Sequence, residues 1–352
     1  MTTDTRDDVR GEIVRRIEQL FAARTSDAEL HGPDFAALWR LAADQVQGGK
    51  LLRPSLTIDV WRALGEGSDY ETVLDLAAAV ELLHYSFLLH DDVIDGDVRR
   101  RRTHNLVGAT RARHPDPGSA AALHWGQTCA LLAGDLVLAA AHQIFARVDA
   151  DRDTRLRLLD LLDLTITETV AGEHIDVALS DRVRTSDLAT ILTMAQQKTA
   201  VYTFELPMRL AAILAGADAQ VETALAAVAR PLGVAFQLQD DLLSVFGDPR
   251  EHGKDPFSDL REGKETALIV YARMTSAWLS IGPRFGAADL TDQEARMMRD
   301  ALRECGAERF VRGLVDEQVA VVCTVLAQAV VLPTRLRRVL RGLLTRLEVR
   351  SA

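Results

Sequence analysis

The chain has 352 residues, 48% of them hydrophobic, only 10 prolines and 22 glycines, and a formal net charge of −10. That apolar share suffices for a large core, and the scarcity of helix breakers favours helix. The acidic balance excludes a general nucleic-acid binder, which needs a basic face.

The first ten residues, MTTDTRDDVR, are polar and acidic and do not read as a signal peptide. Residues 1–10 are expected to be flexible. Helical patterning then covers about 6–24, 33–47, 51–65, 70–95, 119–148, 152–179, 185–215, 218–246, 265–279, 292–305, 307–330 and 333–348. Turn-rich stretches such as LGEGSDY, RHPDPGS and GDPREHGKDPFSD punctuate the pattern. Alternating strand-like runs and internal repeats are almost absent, and no linker separates two domains. The expectation is a single all-α domain over 1–352, folded as one large helical bundle. No apolar run approaches the roughly 20 residues that span a bilayer, so no transmembrane segment is expected. Cys129, Cys305 and Cys323 lie far apart without a CxxC pair. This speaks against a disulfide framework or zinc site and fits a reducing cytoplasm.

Taken in chain order, the charged motifs begin with GGKLLRP at 48–54, where Lys50 and Arg53 supply cations at i and i+3. By itself this is compatible with a helix start carrying surface charges. The apolar helix 70–95 then runs into HDDVIDGDVRRRR. At about 100° per residue, Asp91, Asp92 and Asp95 share one arc of a helix. Two such carboxylates 4 Å apart repel by about 4 kcal/mol at an effective dielectric of 20, so something positive must offset them. Hard oxygens on one face suit Mg²⁺, which binds through one or two carboxylates, waters and phosphates. A solvated helix end is the plain alternative, made less favourable by the helix dipole.

A second apolar helix, LGVAFQLQDDLLSVFGD, ends in Asp240 and Asp241, with Gln237 one turn earlier and Ser244 where a third aspartate would complete DDxxD. GKDPFSDLREGK follows, with Lys254 and Lys264. Two aspartate-rich helix ends about 150 residues apart, each followed by cations, form a pattern suited to clamping a diphosphate through Mg²⁺ in a bundle.

GGKLLRP, His84 seven residues before DDVID, the arginine run, QKTA at 197–200, FQLQDDLLSVFGD and GK…GK occur in one order that resembles the trans-isoprenyl diphosphate synthases, within them the short-chain, geranylgeranyl-type enzymes. The likeness covers about residues 45–275, and beyond that only the helical character fits. It implies an isoprenoid-synthase bundle with a central active-site cavity and a homodimer that buries an apolar helix pair. It also implies head-to-tail condensation of isopentenyl diphosphate with an allylic diphosphate, assisted by Mg²⁺, about three ions per site.

The resemblance assigns roles residue by residue. Asp91 and Asp95 become Mg²⁺ ligands with Asp92 in support, and Asp240 a ligand with Asp241 acting through water. Lys50, Arg53, His84 and Arg101 match the isopentenyl diphosphate site. Arg100, Lys198, Lys254 and, more weakly, Lys264 match ligands of the allylic diphosphate. Thr199 and Gln237 fit positions that steady the carbocation. The run Arg99 to Arg102 leaves the functional pair uncertain by one residue, and the spacing from Asp95 favours Arg100 and Arg101. Ser244 in place of aspartate, Glu173 where glutamine is commoner, and His104 where proline is frequent are departures from the family pattern.

Chain length in the family depends on bulk four, five and eight residues before the first aspartate, here Phe87, Ser86 and Leu83. Phe87 falls on the Asp91 face and narrows the tunnel, while a small Ser86 opens another side. This favours a C20 product over C15. Two other readings compete. A class I terpene cyclase lacks a use for Lys50, Arg53 and His84. A non-catalytic subunit of a heteromeric synthase tends to lose the aspartates that are present here.

Overall fold

The structure, a computed structural model, describes residues 3–46, 49–65, 67–100, 103–247, 257–287 and 289–349. It is mostly helical, at 79%. By its internal contacts the chain divides into two compact units, residues 1–162 with 210–217, and residues 163–209 with 218–352.

The first unit is built from α1 (Thr3–Ala28), α2 (Pro33–Val46), α3 (Leu52–Leu64), α4 (Tyr70–Ile94), α5 (Leu106–Arg111) and α6 (Ala120–Ala146). Helix α4 packs along α6 and against α1 and α3. Its Leu76, Leu82, Leu83 and Leu89 are fully buried, as are Ala130, Val137, Ala141 and Phe145 of α6. Each large apolar side chain so buried contributes about 1.5–3 kcal/mol. Small residues permit the close approach: a Cβ on Gly134 of α6 would lie 2.4 Å from Nε2 of His90 on α4. The helix starts follow local chemistry. Asn105 accepts from the Gly108 N–H at 2.9 Å and Ser119 from the Ala122 N–H at 3.1 Å, caps of about 1 kcal/mol each.

The second unit holds most of α7 (Arg152–Ser180), then α8 (Leu188–Ala195), a π-helical segment (Gln196–Glu205), the start of α9 (Leu206–Leu214), and α10 (Ala219–Phe246). It continues through α11 (Ser258–Glu262), α12 (Ala267–Arg273), α13 (Trp278–Ile281), α14 (Asp292–Glu304), α15 (Ala307–Gln328) and α16 (Thr334–Val349). Helix α10 packs against α15 and the π segment. Two glycines set that packing. A Cβ on Gly172 of α7 would fall 2.2 Å from the Lys198 backbone nitrogen, and one on Gly233 of α10 would fall 2.2 Å from the Ala200 Cβ. At the end of the π segment Glu205, 2% exposed, is held by Arg209 at 2.9 Å and Arg230 at 2.7 Å, and Arg230 also reaches Glu168 at 3.0 Å.

Three features differ from the sequence expectation. The helix expected over 185–215 is three pieces with a π-helical middle, because the i→i+5 ladder changes neither composition nor apolar spacing. A two-residue hairpin pairs Arg99 with His104 and Arg100 with Thr103, too short to leave an alternating pattern. Finally, Tyr70–Ile94, Ala120–Ala146 and Ala219–Phe246 are each long and apolar enough to cross a membrane by length and composition, with 72%, 44% and 56% of their most apolar windows buried inside the protein. The expectation that no run approaches that length is corrected. Helix α4 is apolar around most of its circumference because other helices enclose it, whereas α6 also carries large apolar residues on exposed positions.

Candidate active site

In the first unit α4 delivers the first aspartate cluster. Asp91 and Asp92 occupy its last turn, and Asp95 is its C-terminal cap, with its N–H on the Asp91 carbonyl at 2.8 Å. The hairpin then folds the chain back, so that Arg100 donates from Nε and Nη2 to Oδ1 of Asp92 at 3.0 and 2.7 Å, and from Nη2 to Oδ2 of Asp91 at 3.1 Å. Asp92 is 3% exposed. Burial pushes its carboxyl up to about 6, while Arg100 pulls in the opposite direction. Burial works against the charge of Arg100, but Asp92 and Asp91 outweigh it and hold the guanidinium above its usual value.

On the same helix Leu83 and Ser86 are fully buried, and the Ser86 hydroxyl donates to the Leu83 carbonyl at 2.8 Å. His84, Phe87 and Asp91 form a stripe that retains partial exposure. In GGKLLRP the left-handed residue is Leu51, with φ 49° and a buried side chain, at the N-cap of α3. Such a conformation costs a non-glycine residue about 1–2 kcal/mol. It lies between exposed Lys50 and half-buried Arg53. Arg101 lies outside the described residues.

In the second unit the second cluster forms a relay. Thr199 Oγ1 donates to Gln237 Oε1 at 2.7 Å, and Gln237 Nε2 donates to Asp241 Oδ1 at 2.8 Å. Asp241 is 7% exposed, whereas Asp240 beside it is half-buried. Lys198 points its ammonium between Asp176 at 2.6 Å and Glu173 at 2.8 Å. Lys264 sits 3.5 Å from Glu262. Lys254 lies outside the described residues. Among the described residues no three His, Cys, Asp or Glu side chains gather closely enough to hold a metal by themselves.

An aspartate-rich helix end paired with Arg100, and a second helix carrying Asp240 and Asp241, are a chemistry of cation and polyanion binding. The polyprenyl synthetase family model matches residues 37–278. The chain belongs to that family. It is a trans-prenyltransferase, a polyprenyl diphosphate synthase with the isoprenoid-synthase fold. It is 33% identical over 267 residues to geranylgeranyl diphosphate synthase of Methanosarcina mazei, with 76% of each chain covered. It is 32% identical over 269 residues to (2E,6E)-farnesyl diphosphate synthase of Mycobacterium tuberculosis, covering 74% of this chain and 68% of that one. Among solved structures, geranylgeranyl pyrophosphate synthase of Corynebacterium glutamicum, complexed with isoprenyl diphosphate and magnesium, matches with a TM-score of 0.91 at 28% identity, over 99% of this chain and 100% of that one. That likeness extends past residue 278, where the family model stops, and takes in the C-terminal helices.

Several residues escaped the sequence reading of this polyprenyl synthase. Asp176 was not singled out, although it sits three residues after Glu173 in AGEHID and both hold Lys198. Gly172 in the same stretch was the available signal, since a glycine inside a helix marks close approach. His90, 3.2 Å from Asp135 of α6, was hidden beside the aspartates.

Proposed function

We propose that the enzyme condenses isopentenyl diphosphate head-to-tail with an allylic diphosphate in a Mg²⁺-dependent reaction, giving a short-chain trans-prenyl diphosphate, C20 in preference to C15. The observation that carries this reading is the first cluster: three aspartates at one helix end, two of them paired with Arg100. The carboxylates of Asp91, Asp92 and Asp95, and of Asp240 and Asp241, are the hard donors that Mg²⁺ takes. When bound, the metal supplies positive charge for the departing diphosphate.

In this reading Arg100, Lys198, Lys254 and Lys264 bind the allylic diphosphate, and Lys50, Arg53, His84 and Arg101 bind isopentenyl diphosphate. The allylic C–O bond breaks with its electron pair leaving on the diphosphate. The double bond of isopentenyl diphosphate attacks the freed carbon. The proton lost from the adduct passes to the released diphosphate. The oxygens of Thr199 and Gln237 steady the positive charge, and their relay to Asp241 fixes their orientation. Groups oriented in advance toward developing charge supply much of the rate enhancement in many enzymes.

The C20 preference rests on the relatives named geranylgeranyl synthases and on Phe87, the large side chain of the half-open stripe below Asp91. Trp125, Leu131 and Leu132, about half exposed on α6, support a homodimer formed through that helix.

The test is steady-state turnover with and without Mg²⁺, in wild type and in Asp91→Ala and Asp240→Ala. Turnover that requires Mg²⁺ and falls by about 10²–10³ or more in each variant is expected. Equal activity in EDTA would reject the reading.

A further inference from the structure

Ser244 occupies the position where the second cluster departs from a DDxxD pattern, one turn after Asp240. It is 4% exposed and tied down on three sides. Its Oγ lies 2.8 Å from the Asp241 carbonyl and 2.5 Å from Oδ2 of Asp259, and its own carbonyl accepts the Phe257 N–H at 3.1 Å. Phe257 is buried and left-handed, with φ 70°, and its carbonyl accepts the N–H groups of Leu260 and Arg261, which start α11. The Asp259 carbonyl in turn accepts the Lys264 N–H at 2.9 Å. The far side of this turn is pinned as well. Gly263 and Gly286 both have positive φ and meet back to back, and the Gly286 N–H donates to the Leu260 carbonyl at 3.0 Å.

A serine hydroxyl has one proton and here faces two acceptors. The carboxylate is the stronger of them, since charge-assisted hydrogen bonds are shorter and about twice as strong as neutral ones. An aspartate at 244 would instead set a second carboxylate against Asp259. The departure at 244 and the carboxylate at 259 therefore belong together.

We propose that Ser244 is a positioning residue that, through Asp259, fastens the α11 turn carrying Lys264 to the helix end carrying Asp240 and Asp241. The carboxylate facing position 244 comes from residue 259, and its task is to place Lys264 for the allylic diphosphate. This rests on the synthase reading above. Wild-type turnover of the two diphosphates tests that reading independently of any variant.

The experiment measures KM for each substrate, the Mg²⁺ half-saturation point and amide exchange in wild type, Ser244→Ala, Asp259→Asn, the double variant, and the exchanged pair Ser244→Asp with Asp259→Ser. Each single variant is expected to raise KM for the allylic diphosphate about tenfold, the loss of one charge-assisted hydrogen bond. KM for isopentenyl diphosphate and the Mg²⁺ half-saturation point should stay within about twofold of wild type, and the double variant should be no worse than either single one. The amides of Leu260 and Lys264 should exchange faster in both single variants, and the exchanged pair should recover the allylic KM. Exchange is read on any variant that folds and does not depend on activity. An active wild type with unchanged allylic KM and unchanged exchange in the variants would overturn the proposal. So would a shift confined to the Mg²⁺ half-saturation point, which would make Ser244 part of the metal shell.

Discussion

Arg100 lays its guanidinium along Asp92, with two nitrogens 2.7 and 3.0 Å from one carboxylate oxygen. The pairing answers the question posed by dense charge of both signs at one helix end. It also gives a pH signature. Asp92 has its carboxyl pushed up to about 6, chiefly by burial. A folded-state value above the unfolded one means that the contribution to stability is fully present below about pH 4. It is lost as pH rises through about 6. Metal binding runs the other way, because it needs the carboxylate. Mg²⁺ affinity should therefore fall as pH drops below about 6. A carboxyl-carbon NMR titration of the metal-free protein should show Asp92 titrating near 6. Since Arg100 lowers that value, Arg100→Ala should move it higher, and an unchanged or lower value would refute this role of the pair.

Lys198 is shared by Glu173 and Asp176. In the proposed reaction the allylic diphosphate competes with both carboxylates for this ammonium. Glu173→Gln removes one competitor and keeps the shape, so KM for the allylic diphosphate should fall about threefold to tenfold. Stability should change by less than about 1 kcal/mol, because a partly exposed ion pair contributes little. Steady-state kinetics and urea unfolding check the two halves.

The close contact of α7 with the π segment predicts a sharp asymmetry between glycines. Gly172→Ala places a Cβ 2.2 Å from the Lys198 backbone nitrogen. It should cost about 1–3 kcal/mol or more, as overpacking does, and should lower activity by moving Lys198. Gly313→Ala on α15 meets nothing within 4 Å, and should gain up to about 1 kcal/mol from helix propensity. Urea denaturation midpoints compare them.

The helices that carry Asp91, Asp92, Asp240 and Asp241 were legible because the signal is local: an apolar run of helical period leading into carboxylates. What was hidden depends on distant pairing. Lys198 and Asp176 are 22 residues apart, and Ser244 and Asp259 are 15 apart. No spacing rule joins them until the chain has turned. The hairpin that brings Arg100 onto Asp92 has strands of two residues, below the length at which alternation is visible. The π segment was read as plain helix because its side chains have the same character. Apolar length is hidden for another reason: scattered polar residues interrupt the unbroken runs, while the mean over a long helix stays apolar.

The α6 surface predicts an association. Leu132 is 49% exposed, and Trp125 and Leu131 on the same helix are about half exposed as well. Leu132→Asp should convert a species of twice the chain mass into one of single mass, measured by light scattering on a sizing column. A wild-type monomer at micromolar concentration would contradict the dimer.

Phe87 is the large residue on the half-open stripe of α4, while Leu83 and Ser86 are sealed in the core. Phe87→Ala should lengthen the product beyond that of wild type, and an unchanged product distribution would remove it as the gate.

The central claim is head-to-tail chain elongation. The most direct measurement is to incubate the purified protein with Mg²⁺, isopentenyl diphosphate and, in turn, dimethylallyl, geranyl or farnesyl diphosphate, then identify the products by mass spectrometry. The expected products are linear allylic diphosphates longer than each primer by five-carbon steps and ending mainly at C20. Cyclised hydrocarbons, or no product until a different chain is added, would contradict it.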